Sequence, residues 1–268
     1  MAWMVPDELG AFVAPLLPPP PSHARGGRPR IPDRKALAGI LFILRSGCPW
    51  SLLPAELGCG SGSTCWRRLR DWQEAGVWRR LERALLQRLS DADQIDWSRA
   101  SIDSTSVPAK RGGEATGPNP TDRGQAGAKR HLVVEGHGIP LATLLSAATG
   151  NDSGLFEAGL EAIPPLRRPL GQPGRPRWRP AKVPADKGYA KPHGRRYCGR
   201  HPLGCRIARI GVESSERLGR YRWRVERTGA WYHRFRRLRI RDERRVDMHQ
   251  AFVSLATALI LLSFLSRL

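Results

Sequence analysis

Along the first ninety residues, apolar positions recur at the three- and four-residue spacing of helices. Residues 6–17 form a short amphipathic stretch that stops at four consecutive prolines, 18–21, a stiff extended connector. Residues 33–44 carry apolar side chains at 37, 40, 41 and 44, with Asp33 placed to cap the first turn. Gly47, Pro49 and Pro54 then break the pattern. A second helix is predicted over 64–75 with Ser63 as its cap. It sets Trp66, Leu69 and Trp72 on one face and Arg67, Arg68 and Arg70 on the other, and it closes at Gly76. A third, over 77–89, repeats leucine at 81, 85 and 89. Three short helices with a basic middle one match a helix-turn-helix, whose second helix enters the major groove. A small helical bundle with a wet, charged face is the alternative.

After residue 95 the pattern changes. Residues 99–107 read as a strand in which short residues flank a single acid, Asp103, and 108–128 as a polar, Gly- and Pro-rich loop. Residues 131–135 and 139–147 form a predicted hairpin around Gly136, His137 and Gly138. A helix over 155–163 and a Pro/Arg loop over 164–180 follow. Short strands are predicted at 182–189 and 206–210, then a long basic helix over 219–238 and a last helix over 248–265. The uncharged run 251–266 carries Ser254, Thr257, Ser263 and Ser266 and is shorter than the roughly 20 apolar residues of a membrane span. It reads as a helix buried against a sheet. The order of elements implies a mixed α/β layer behind a small all-α unit, with domains at 1–92 and 96–268.

Charge narrows the partners. Lys and Arg total 45 against 24 Asp and Glu, a formal net charge of +21, and only six of the cations are lysines. Such a surface attracts polyanions, nucleic acid first, and Arg suits bidentate contact with phosphate. Residues 25–30 form a basic arm suited to a narrow minor groove, or a solvated linker. Residues 220–245 hold eleven Arg, with Trp223, Trp231, Tyr232 and Phe235 interleaved. The first residues carry Asp7 and Glu8 without a basic start, and the five Cys are sparse, so a reduced, cytoplasmic setting is expected. His193, Cys198, His201 and Cys205 have spacings that could hold zinc but match no common finger pattern.

Three acids stand out inside this positive field: Asp103 in a strand of small residues, Asp186 at a strand end before Lys187 and Gly188, and Glu226 within an Arg-rich helix. Hard carboxylate oxygens suit Mg²⁺ (or Mn²⁺), and a pair of such ions can activate a water or 3′-hydroxyl and stabilise the leaving oxygen of a phosphodiester. Taken singly, each acid also reads as a turn, a cap or an ion-pair partner, Glu226 with Arg222.

The contexts Ser-Ile-Asp103-Ser-Thr-Ser-Val, Ala-Asp186-Lys-Gly-Tyr and Arg222-x₃-Glu226-Arg-Thr-Gly-Ala-Trp-Tyr-His-Arg-Phe resemble the DDE transposases of bacterial insertion sequences, in the branch named for insertion sequence five. Arg28-Pro-Arg-Ile-Pro-Asp33 and Arg45-Ser-Gly-Cys-Pro-Trp50 resemble its helical DNA-recognition region. The resemblance implies a ribonuclease-H-like mixed sheet flanked by helices, with Asp103, Asp186 and Glu226 as catalytic metal ligands. It implies Mg²⁺-dependent cleavage at the element's terminal inverted repeats and transfer of the freed 3′-hydroxyl into target DNA. Double-stranded DNA is then the partner, a homodimer would hold two ends together, and a bacterial, nucleoid-associated location follows. The cations assigned to DNA are Arg25, Arg28, Arg30, Arg67, Arg68, Arg70, Lys187, Arg222, Arg227, His233, Arg234, Arg236 and Arg237. Two positions depart from the family pattern: Gly219 stands where it has a Tyr, and His233 where it has a Lys. The alternative is a non-catalytic DNA-binding regulator derived from such a fold.

Overall fold

The computed structural model describes residues 4–20, 29–185, 187–189, 191–207 and 219–267, with side chains described at all of these except 187 and 219–222. Four helices come first: α1 (Asp7–Val13), α2 (Asp33–Ser46), α3 (Gly62–Glu74) and α4 (Val77–Asp91). In α2, the apolar residues at 36, 37, 40, 41, 43 and 44 are all buried, and Gly47 ends the helix in a left-handed conformation (φ 71°) that a side chain would strain. Asp33 does not cap α2. Pro32 holds that position, and the Asp33 carboxylate instead accepts from Arg68 of α3 and, at 3.2 Å, from Arg30. The cap of α3 is Ser61 and not Ser63: its hydroxyl oxygen accepts from the Thr64 backbone N–H at 3.2 Å.

The sheet begins with β1 (Ala100–Pro108), followed by β2 (Gly117–Pro118), β3 (Ala126–Glu135) and β4 (Pro140–Ala147). β3 pairs antiparallel with β1 along its full length, Ala100 opposite Glu135 and Pro108 opposite Gly127. Its other edge carries β4 and the short β2. β3 thus starts five residues before the predicted hairpin strand, because pairing with β1 overrides the local polarity of Lys129 and Arg130. Glu135, 2% exposed, fixes the β3–β4 turn by accepting backbone N–H bonds from Asp96 (2.7 Å), His137 and Ile139 (both 2.8 Å). β5 (Lys182–Ala185) and β6 (Gly204–Ile207) pair in parallel, and β5 runs beside β1. The predicted end of the last strand, 208–210, lies outside the described residues.

The remaining helices are α5 (Phe156–Glu161), α6 (Pro192–Arg200), α7 (Gly219–Tyr232) and α8 (Val246–Leu265). α6 has too polar a composition to stand out by pattern. The long basic helix ends at Tyr232 and not at 238; a tight turn and a short 3₁₀ segment, Arg236–Leu238, follow.

Helices cover both faces of the sheet. A Cβ on Gly159 of α5 would touch Ile102, Val133 and Leu144. One on Gly229 of α7 would touch Thr105 and Leu132, which point the other way. α8 lies on the α7 side, where Gln250 reaches Thr143 of β4 at 3.4 Å. Its opposite flank packs on α3 and α4, and Trp50 stacks on Phe252 at 5.7 Å. α8 has the length and hydropathy of a membrane span, yet 72% of its most apolar window is buried within the protein. The buried apolar residues form one cluster from Met4 to Leu262, running through α8.

Candidate active site

Asp103 lies half-buried on β1, opposite Leu132, and its Oδ1 accepts from the Ser104 backbone N–H at 2.9 Å. Strand alternation turns it away from α5, towards the face that α7 covers. The docking point of α7 is Gly229, where an added Cβ would lie 3.6 Å from Thr105 Oγ1 and 3.8 Å from Leu132 Cδ1. Thr105 shares the face of Asp103, and Leu132 is its cross-strand partner. Glu226, exposed, sits one turn before Gly229 on the same flank of α7. α7 therefore lies on the sheet face that presents Asp103, with Glu226 exposed one turn before the Gly229 contact. Asp186 lies outside the described residues; the strand leading to it ends at Ala185, 2% exposed, beside β1.

Among the described residues, no three His, Cys, Asp or Glu side chains stand close enough to hold a metal ion. This disposes of the zinc reading. His193 Nε2 is bonded to the Ser153 carbonyl at 2.6 Å, His201 packs on the Tyr197 ring at 4.4 Å, and burial pushes the Cys198 thiol up to about 12. The donor types at Asp103 and Glu226, hard carboxylate oxygens on one face, suit a magnesium-like ion.

The cations assigned to DNA divide by burial. Arg67 is exposed on α3, and Arg70 is partly exposed there, paired with Asp71 at 2.7 Å. Arg30 pairs with Asp33. Arg234 and Arg236 are exposed beyond α7, with His233 beside them, its pKa lowered by burial and by the charges of Arg130 and Arg239. Arg227 is held between two rings, 4.7 Å from Trp223 and 4.9 Å from Trp231, and donates to the His137 carbonyl at 2.6 Å. Arg25 and Arg28 lie outside the described residues, as do the side chains of Lys187 and Arg222.

Two of the thirteen are interior and are corrected. Arg68, 6% exposed, is tied to Asp33 and donates to the Ile31 carbonyl at 3.2 Å, which joins α3 to α2. Arg237, also 6% exposed, binds Glu243 at 2.6 Å and the Cys48 carbonyl at 3.1 Å, joining the segment after α7 to the end of α2. Neither side chain faces solvent, where a phosphate would lie.

The sequence pattern missed a buried polar group behind α7. Arg130 of β3 stacks over Tyr232, the last residue of α7, with its Cζ 4.5 Å from the ring centroid. The Tyr232 hydroxyl bonds Thr257 Oγ1 of α8 at 2.6 Å. Nearby on α4, burial pushes the Glu82 carboxyl up to about 8. Burial likewise pulls Arg130 down to about 10. The one available signal was a charged residue lying in strand register opposite Thr105.

Residues 98–261 match the family model described as "Transposase DDE domain", and residues 5–82 match one described as "Putative transposase of IS4/5 family". A protein of Burkholderia cepacia described as "Putative transposase for insertion sequence element IS402" is 47% identical over 152 residues, 57% of this chain and 71% of that protein. A second protein of the same organism, "Insertion element IS402 uncharacterized 16.2 kDa protein", is 54% identical over 119 residues, 44% of this chain and 81% of its own length. Two domain models in tandem, with the 47% identical relative, place the chain among the DDE transposases of insertion sequences of the IS4/5 type.

Proposed function

We propose that the chain binds the terminal inverted repeats of its insertion sequence, cuts DNA at the element ends and joins the freed 3′-hydroxyl to target DNA. Asp103, Asp186 and Glu226 are the catalytic carboxylates in this reading. The observation that supports it is the docking of α7, the helix that carries Glu226, through Gly229 onto the sheet face of Asp103. The arrangement supports a ribonuclease-H-like reading: an antiparallel β4–β3–β1 run, a separate parallel β5–β6 pair packed beside β1, and helices on both faces.

The three carboxylates would hold Mg²⁺ or Mn²⁺, which supplies activation of the attacking water or hydroxyl and charge stabilisation at the leaving oxygen. Asp103, fixed on a paired strand, gives the site a rigid edge, while Glu226 comes from a helix whose seat is set by a side-chain-free contact. The exposed Arg67 and part-exposed Arg70 of α3, and Arg234 and Arg236 beyond α7, neutralise backbone phosphates and set register. Two copies acting together would hold both ends. The working place is the bacterial cytoplasm, on the nucleoid.

The test is cleavage of DNA carrying the flanking terminal repeats, with Mg²⁺, by wild type and by Asp103→Asn and Asp186→Asn. Both variants are expected to bind the repeats and leave them uncut. Equal cleavage by wild type and variants refutes the assignment. Repeat binding without cleavage by the wild type itself favours a regulator.

A further inference from the structure

Arg130 sits in the middle of β3, opposite Thr105 of β1 and Leu145 of β4, on the face that carries Asp103. It is 0% exposed, and none of its three guanidinium nitrogens has a hydrogen-bond partner among the described residues. Its Cζ lies over the Tyr232 ring, itself buried and tied through Thr257 to α8. Along the ladder, the Thr105–Arg130 pair is two residues from the Asp103–Leu132 pair.

A bare guanidinium in the interior does little for stability. The ring contact and the carbonyl-rich end of α7 return part of its desolvation cost, whereas a well-packed apolar side chain would avoid that cost. Buried groups that break the usual rules concentrate where function demands them. This one is planar and stacked on the last ring of the helix that carries Glu226. We propose that Arg130 is a positioning residue: stacked on Tyr232, it fixes the register of α7 over β1 and thereby the separation of Glu226 from Asp103. The inference rests on the catalytic reading of those two carboxylates. Tyr232 supplies the surface on which the guanidinium lies, and its hydroxyl holds that ring against α8.

The experiment uses the full chain and the variants Arg130→Met, Arg130→Lys, Tyr232→Phe and Tyr232→Leu. Four quantities are read: Tm, affinity for the terminal repeats, Mn²⁺ affinity in the absence of DNA, and Mn²⁺-supported cleavage. Arg130→Met is expected to melt at or above the wild-type temperature and to bind the repeats as wild type does. It should nonetheless bind Mn²⁺ and cleave about tenfold worse or more, since small misplacements of reacting groups cost rate steeply. Arg130→Lys keeps the charge without the plane and should fall between the two. Tyr232→Phe keeps the ring but loses the bond to Thr257, so it should fall less than Tyr232→Leu, which should follow Arg130→Met. Wild-type cleavage by Arg130→Met overturns the inference. So does a parallel loss of Tm, repeat binding and cleavage in Arg130→Met and Tyr232→Leu, the mark of a purely structural role. Failure of the catalytic reading shows separately, as a wild-type protein that neither binds Mn²⁺ nor cleaves.

Discussion

Gly229 offers a sharp test of how α7 serves the site. A methyl group there would lie 3.6 Å from Thr105 Oγ1 and 3.8 Å from Leu132 Cδ1, ordinary contacts that require no movement. Alanine also favours a helix over glycine by about 0.8–1 kcal/mol in a helix interior, less in a last turn. Gly229→Ala is therefore expected to stabilise the protein by roughly 0.5 kcal/mol, a Tm rise of about 1–2 °C at this chain length, with cleavage intact. Leucine brings three further carbons into a gap filled by one methyl. Overpacking of this kind costs about 1–3 kcal/mol, and the nearest relief is for α7 to lift from β1 and carry Glu226 with it. A displacement of about 1 Å at reacting groups can cost about a hundredfold in rate. Gly229→Leu should thus cut repeat-bearing DNA roughly a hundredfold more slowly in a single-turnover assay while still binding it. Wild-type cleavage by Gly229→Leu, or an equal loss in Gly229→Ala, would show that this contact does not set the geometry of the site.

The two kinds of arginine should separate in salt titrations of repeat binding and in melting curves. Arg67→Ala is expected to reduce the slope of log affinity against log salt by roughly 0.9 without changing Tm. Arg237→Met, which leaves Glu243 buried without its guanidinium, should cost about 3–5 kcal/mol of stability and leave the slope alone. Glu82 should make stability depend on pH. Its folded-state pKa of about 8 lies above the unfolded value, so the folded chain holds a proton that the unfolded chain releases from about pH 4.3 upward. Stability contributed at this site therefore falls between about pH 4.5 and 8 and levels off above. Glu82→Gln should flatten that fall, and Tm curves that stay parallel for wild type and variant across this window would refute it.

Much of this architecture was legible because periodic patterns reflect burial. The leucines at 81, 85 and 89 and the apolar positions of α2 are interior, as their spacing predicts. The strand that carries Asp103 was legible as well, and the acid itself stood out for the opposite reason: among small residues on a strand it breaks the pattern. Caps were misplaced at both Asp33 and Ser63, because a short polar residue near a helix start can serve a tertiary partner, and Asp33 serves Arg68. Arg68 and Arg237 were misread because local sequence shows charge but not what a distant segment brings to it: Asp33 is 35 residues from Arg68, and Cys48 is 189 from Arg237. Arg130 was hidden by the same limit. Its partner ring arrives from α7, on the far side of the sheet's connections.

α8 packs between the N-terminal helices and the sheet. A helix that is apolar all round must be covered all round. Here α3 and α4 cover one flank, and β4 and α7 the other. The same uniform hydrophobicity that imitates a membrane span therefore joins the exposed arginines of α3 to the face of Asp103 across a single helix width. Arg237 adds a second joint by binding the carbonyls of Gly47 and Cys48 at the end of α2. A cut at a fixed position relative to a bound repeat requires a fixed distance between reader and cutter. A chain tethered only through the short connection after α4 would let that distance vary. Packing of α3 and α4 on one flank of α8 and of β4 and α7 on the other joins the two, so that, on the proposed reading, the carboxylates would meet the same phosphodiester each time the repeat is bound.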